Sequence, residues 1–169
     1  MEKELELTYV AAKPEEFPVC MALYRSVFGQ EGCTWNEDYP DEDMIRADIS
    51  RGDLFCAKTA EGEIVSCIVL DYDPAVEELT CWNPELTPVC EVMRLVVKTE
   101  YQNAGIARRT LTFGMQEVKR RGFRATHFLV SQHNERALRS YAKLGFHNAG
   151  EAFLFGNDWF CYEKDLKDI

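Results

Sequence analysis

Histidine is scarce in this chain, three residues in 169, and none of His127, His133 and His147 has a second ligand at metal-binding spacing. That pattern gives no reason to expect a metal, and the three rings read as structural or surface groups. Paired cysteine motifs are missing as well. The seven cysteines, at positions 20, 33, 56, 67, 81, 90 and 161, contain no C-x-x-C pair. An odd number, several on apolar strand-like segments, fits buried reduced thiols in a cytosolic protein better than disulfides or a zinc site. Long apolar runs are absent too: the longest, Ile64-Val-Ser-Cys-Ile-Val-Leu70, falls far short of the roughly 20 residues that cross a bilayer. Basic charge is in deficit, 19 Lys and Arg against 29 Asp and Glu for a net charge of −10, which argues against general affinity for nucleic acid or anionic membrane. The start, Met1-Glu-Lys-Glu-Leu-Glu6, lacks the basic and then apolar character of a secretory signal, so a cytoplasmic location is expected. With no low-complexity tract, repeat or linker, residues 1–169 read as a single domain large enough to bury a core without staples.

What is present is a sequence of changing periodicities. Leu5 to Val10 alternate weakly before Pro14, as a first strand would, and Glu15 to Phe28 repeat Phe17, Met21, Tyr24 and Phe28 at helical spacing up to Gly29. Residues 29–39 read as a loop. Pro40-Asp-Glu-Asp43 then opens a second helix to about Ser50, its carboxylates suited to the positive end of the helix dipole. Asp53 to Lys58 and Glu63 to Tyr72 are β-rich runs around Thr59-Ala-Glu-Gly62 and predict a hairpin. A polar insert, residues 73–88, precedes a strong strand from Val89 to Val97. There the period changes from two to about 3.6, with Ala107, Leu111, Met115 and Val118 on one helical face and Gly122 at its end. Thr126 to Val130 is strand-like, Asn134 to Leu144 helical with a stripe of Ala137, Leu138, Tyr141 and Leu144, and Phe153 to Tyr162 contains a hairpin turn. This order predicts an α/β or α+β fold.

The segment Glu91-Val-Met-Arg-Leu-Val-Val-Lys-Thr-Glu-Tyr-Gln-Asn-Ala-Gly-Ile-Ala107 runs from a strand through a tight loop into a helix. Such a layout aims free backbone N–H groups and a helix dipole at one point, which holds a pyrophosphate without net positive charge. Gly105 permits close approach, Ala107 obstructs little, and Arg108 and Arg109 could meet outlying phosphates. An ordinary strand-to-helix turn has the same local pattern. Downstream, Asn134-Glu-Arg-Ala-Leu-Arg-Ser-Tyr141-Ala-Lys-Leu-Gly145-Phe146 puts a tyrosine on the helix after the next strand.

Taken together, the Gln-x-x-Gly-x-Ala loop, Asn-x6-Tyr-x3-Gly-Phe and Glu91 resemble the GNAT superfamily of acyl-CoA-dependent N-acetyltransferases, in detail over residues 89–149 and in element order over the whole chain. The resemblance implies a mixed, mostly antiparallel sheet with helices on both faces, splayed between the strands beginning near Val89 and Thr126. It implies acetyl-CoA as co-substrate, with the backbone of Gln102, Asn103, Ala104, Gly105, Ile106 and Ala107, together with Arg108, around the pyrophosphate. Asn134 would contact the coenzyme or orient its helix, and the pantetheine arm would pair beside Leu95 and Val97. His133, next to Asn134, could lie near the cofactor. An attacking ammonium must lose a proton and the departing thiolate is better expelled with one; family position implies Glu91 as base and Tyr141 as acid. A strand carboxylate paired with Arg94, and a core tyrosine, are the alternatives for these two residues. An apolar wall of Met93, Leu95 and Val97 beside Glu91 would raise its pKa, and Glu37 is a substitute base.

The acidic, aromatic loop Glu31-Gly-Cys-Thr-Trp35-Asn-Glu37-Asp38-Tyr39 lies, by the same resemblance, over the acceptor, and Trp82 would form a wall or fill a gap. Leu129 stands where some N-terminal peptide acetyltransferases carry glutamate, which weakens that branch. The expected activity is therefore acetyl transfer to a primary amine, favouring a cationic small molecule. Protein lysine or N-terminal acetylation, and a non-catalytic acyl-CoA-binding module, stand as alternatives, and a homo-oligomer is left open.

Overall fold

The computed structural model describes residues 3–169. A short strand, β1 (Thr8–Ala11), is followed by α1 (Phe17–Ser26) and α2 (Glu42–Ser50). Phe17, Cys20, Met21 and Tyr24 recur at helical spacing on α1 and are buried, the arrangement that glues a helix to a sheet. Asp41 starts α2 by accepting a hydrogen bond from the Met44 backbone N–H at 2.8 Å, with Glu42 and Asp43 in the first turn. The hairpin β2 (Leu54–Lys58) and β3 (Ile64–Asp71) comes next, and β3 is buried from Ile64 to Leu70, as befits a strand covered on both faces. Pro74–Glu77 forms the short α3 inside the insert that the sequence leaves as loop. The remainder is β4 (Val89–Val97), α4 (Ile106–Arg120), β5 (Ala125–Ser131), α5 (Glu135–Tyr141), β6 (His147–Leu154) and β7 (Asn157–Asp165).

The seven strands form one sheet in the order β1-β2-β3-β4-β5-β7-β6, antiparallel except for β4 beside β5. One core cluster joins α1 and α2 to one face through Cys20, Tyr24, Ile45, Leu54, Cys67 and Val69. The other joins α4 and α5 to the opposite face through Leu111, Met115, Tyr141, Ile68, Val92 and Phe128. On α4, Gly114 is what permits close packing on β3, because a Cβ there would stand 2.8 Å from Ile68 Cδ1. The expected mixed sheet with helices on both faces is thus present. The first strand begins later than Leu5, at Thr8.

Two features of β4 shape everything that follows. Only Val89–Glu91 pair with β5, against Ala125–His127, and beyond them the two parallel strands part. Further along, Arg94 has φ 48° and the pairing with β3 slips between Val69↔Met93 and Cys67↔Val96. This bulge inserts an extra residue and reverses the parity of the strand. Met93 and Val96 both pack toward α1, whereas Val92 and Leu95 both pack toward α4.

Candidate active site

The parting of β4 and β5 opens a cleft of about 950 Å³. Its apex lies at Glu91, the last paired residue of β4, and its mouth at Val97, the 102–108 loop and the start of α5. At the mouth, Gly105 precedes α4 with φ 79°, a conformation that disfavours any side chain, and no side chain among the described residues caps the helix. The first-turn N–H groups of Ile106, Ala107 and Arg108 therefore face the cleft region without intrahelical partners. Arg108, Arg136, Arg139 and Lys143 add positive charge to the same wall. Gln102 donates to the Val97 carbonyl at 3.0 Å and to Gln30 Oε1 at 3.1 Å, and accepts from Arg136 across the opening. Gly32 of the 29–39 loop passes so close to Asn134 that a Cβ would lie 3.0 Å from Asn134 Oδ1. The loop thus roofs the mouth.

The apex has the opposite charge. Trp35, Tyr39, Met44, Asp73, Val76 and Glu91 line it. Glu91 is 5% exposed, and its Oε1 is a buried side-chain oxygen without a hydrogen-bond partner among the described residues. Burial first, then the carboxylates of Asp73 and Glu77, push its pKa up to about 9, against the opposing pull of Arg94. Arg94 itself is fully engaged: Nε and Nη2 hold Asp48 at 2.9 Å each, Nη2 reaches Asp71 at 3.2 Å, and Nη1 donates to the Tyr39 hydroxyl at 3.0 Å. Tyr24 fixes the bulge by donating to the Arg94 carbonyl at 2.7 Å. Between apex and mouth stands Tyr141, 9% exposed, edge-on to Phe128, with burial alone raising its pKa well above the phenol range.

A family model described as "Acetyltransferase (GNAT) family" matches residues 20–146, three quarters of the chain. The chain belongs to the GNAT acetyltransferase family. Solved structures agree in fold. An acetyltransferase of the GNAT family from Streptococcus agalactiae superposes with a TM-score of 0.79 at 18% identity, covering 95% of this chain and 98% of its own. An N-acetyltransferase from Staphylococcus aureus gives 0.73 at 20% identity over 96% and 99%, and the PaiA N-acetyltransferase of Thermoplasma acidophilum, in complex with coenzyme A, gives 0.71 at 18% over 95% and 99%. No curated protein matches the chain in sequence.

Within this GNAT fold, the residues singled out in the sequence fall as follows. Glu91, Leu95, Val97, Gln102, Asn103, Gly105, Ile106, Ala107, Arg108, Asn134 and Tyr141 all line the cleft, and Ala104 does not. Arg109 turns away, donating to the Leu5 carbonyl at 2.8 Å. Asn134 takes the orienting role, accepting from the Ala137 N–H at 3.1 Å to cap α5. Glu91 is not the partner of Arg94, whose carboxylates are Asp48 and Asp71. The expected wall of Met93, Leu95 and Val97 on one face of β4 does not form, because the bulge at Arg94 sends Met93 and Leu95 to opposite faces. Glu37 lies in a separate surface hollow with Met21, Arg25 and Asp41, which removes it as a substitute base. Trp82 fills a gap, stacked on His127 with centroids 4.1 Å apart, while His127 meets Glu77 at 2.6 Å. His133 does not line the cleft; its side chain is 76% exposed. Sequence reasoning missed Asp48, Asp71, Asp73 and Glu77. The available signal was Arg94 itself, a charge amid the apolar run of β4, which requires a buried counter-ion somewhere in the chain.

Proposed function

We propose that the chain transfers an acetyl group from acetyl-CoA directly to the primary amine of a cationic small molecule. The observation that carries this reading is the buried, unpartnered Glu91 carboxyl at the anionic end of a cleft whose other end is cationic. The coenzyme fits the mouth. The open N-terminus of α4, approached over Gly105, suits a pyrophosphate, and Arg108, Arg136 and Lys143 suit the remaining phosphate charge. The unpaired stretch of β4 toward Leu95 and Val97 offers its backbone to an extended arm.

Glu91 is protonated in the empty site at neutral pH, and an arriving ammonium, by its charge, draws the carboxyl back to its ionised form. The carboxylate then accepts a proton from the amine, freeing the nitrogen lone pair for the thioester carbonyl carbon. Tyr141 donates its phenolic proton to the departing sulfur. The N–C bond forms as the C–S bond breaks, and no covalent intermediate on the chain is required. A cationic acceptor follows from the apex: Asp73 and Glu91 line it, while Arg94 is committed to Asp48, Asp71 and Tyr39 and has little left to offer an anion. The roof formed by the 29–39 loop favours a small acceptor over a protein tail.

Release of free thiol from acetyl-CoA, followed with diamines, amino sugars, anionic amino acids and lysine peptides, tests the reading. Turnover should be fastest with small cationic amines. Preference for an anionic or peptide acceptor would overturn the substrate class. Tight acetyl-CoA binding without thiol release from any amine would instead favour a non-catalytic binding module.

A further inference from the structure

Away from the cleft, three thiols converge beneath α1. Cys20 comes from α1, Cys56 from β2 and Cys67 from β3, and all three have no exposed surface. Cys56 and Cys67 face each other in the β2–β3 register, with their sulfurs 3.9 Å apart, and Cys20 Sγ lies 3.6 Å from Cys56 Sγ. All three sulfurs lie within 4.8 Å of one another. Thiolates bound at about 2.3 Å from a common centre stand roughly 4 Å apart in a plane and roughly 3.5 Å apart in the pyramid that a lone pair on the centre imposes. Two of the three sides, 3.6 and 3.9 Å, already fall in that range, and the third, no longer than 4.8 Å, would close by rotation of the cysteine side chains.

Three sulfur donors select a soft, thiophilic centre. Charge narrows the choice. The thiols belong to an apolar cluster with Met21, Tyr24, Leu54 and Val69. The charged groups that act on Cys20, Glu16 and Lys58, are paired with each other at 2.6 Å and leave little net charge to offset an ionic centre. Three thiolates around a monovalent ion carry a net −2, and around a divalent ion −1, each costly to bury. Around a trivalent centre they carry none. We propose that Cys20, Cys56 and Cys67 form a binding site for a trivalent thiophilic metalloid of the arsenic or antimony type.

The reaction with arsenite balances without a redox partner. Neutral arsenous acid loses three As–O bonds and gains three As–S bonds, while the three thiol protons leave on the hydroxyl oxygens as three waters. Because the trio is buried, entry requires local opening of α1, so loading is slow and the bound centre staples α1 to β2 and β3. The proposal does not rest on the acetyl-transfer reading.

The probe is arsenite, added to reduced full-length protein in which Cys33 and Cys81, the two partly exposed thiols, are changed to serine. After desalting, elemental analysis should find one arsenic per chain, X-ray absorption should find three sulfur neighbours around it, and the Tm should rise. Adding Cys67→Ala should cut retention at least tenfold. Failure of the folded protein to retain arsenic, fewer than three sulfur neighbours, or unchanged retention in a folded Cys67→Ala chain would each overturn the proposal. The sulfur count is read without Cys67→Ala, so it decides the matter even if that variant does not fold.

Discussion

At the mouth of the cleft, six consecutive residues from Gln102 to Ala107 lead the chain into α4 and leave its first-turn backbone N–H groups without intrahelical partners. At the apex, Tyr39, Asp48, Asp73, Glu91 and Arg94 arrive from the loop after α1, from α2, from the insert and from two sides of a bulge. The mouth is a matter of local backbone geometry and suits a ligand group through main-chain donors. The apex is a matter of side-chain charge held at long range. A substitution at the mouth should therefore act on coenzyme binding alone, and one at the apex on proton transfer and acceptor choice.

The largest effect is expected at Gly105. Glutamate there must adopt φ near +79° and would aim a carboxylate at the proposed phosphate site, so Gly105→Glu should abolish measurable coenzyme A binding in calorimetry. Strain at a single surface turn leaves the fold standing, which circular dichroism checks. Unchanged affinity in the folded variant would remove the mouth from the binding reading. Next comes Tyr141, between the two ends. Tyr141→Phe keeps the ring against Phe128 and removes only the hydroxyl, so kcat should fall by roughly 10² or more with coenzyme affinity little changed. Equal turnover would make Tyr141 a core residue.

The same contrast explains what could be read from the sequence. The β2–β3 hairpin, β4 and α4 are announced by period and punctuation, and the 102–107 loop is contiguous, so the family pattern and most of the mouth are legible. Glu91 is legible as a candidate because it sits on a strand leading into that loop. Its environment is not. Strict alternation puts Met93 and Leu95 together beside it, and only the bulge at Arg94, fixed by Tyr24 from 70 residues away, reveals that they part. The charges that raise its pKa, Asp73 and Glu77, belong to an insert whose short helix α3 spans just Pro74–Glu77, too brief for any periodicity.

Glu91→Gln sharpens the apex side of the comparison. A carboxyl whose folded pKa is raised from 4.5 to about 9 keeps its proton in the folded chain while the unfolded chain gives it up. Its favourable contribution is complete below about pH 4.5 and is lost as pH rises toward 9, with a slope of up to about 1.4 kcal/mol per pH unit. Glutamine does not titrate. Urea unfolding should find Glu91→Gln gaining stability over the parent chain between pH 5 and 8, with the two converging at pH 4. In the same variant kcat/KM for a cationic amine should fall by about 10² and lose its acidic limb, with coenzyme affinity unchanged. Parallel stability curves would mean that the Glu91 carboxyl is solvated rather than orphaned.

The smallest effect, and the finest test of acceptor choice, is at Tyr39. Replacing Arg94 would be a blunt instrument, because the buried Asp48 would lose two of its hydrogen bonds and keep only the half-exposed Arg51, and folding would be measured instead of binding. Tyr39→Phe removes only the hydroxyl that accepts from Arg94 Nη1, leaving both Asp48 contacts and the ring in place. Tyr39 is 39% exposed, so stability should change by less than about 1 kcal/mol. The hydroxyl anchors the aromatic wall opposite Glu91, and losing one hydrogen bond of about 1 kcal/mol lets that wall drift. Initial-rate kinetics should then show an acceptor KM raised about fivefold, with kcat and coenzyme A affinity held. An unchanged acceptor KM would take Tyr39 out of the acceptor wall. A weakened coenzyme affinity would mean that the 29–39 loop, which touches Gln102 at one end and Arg94 at the other, couples the two ends of the cleft instead of keeping them separate.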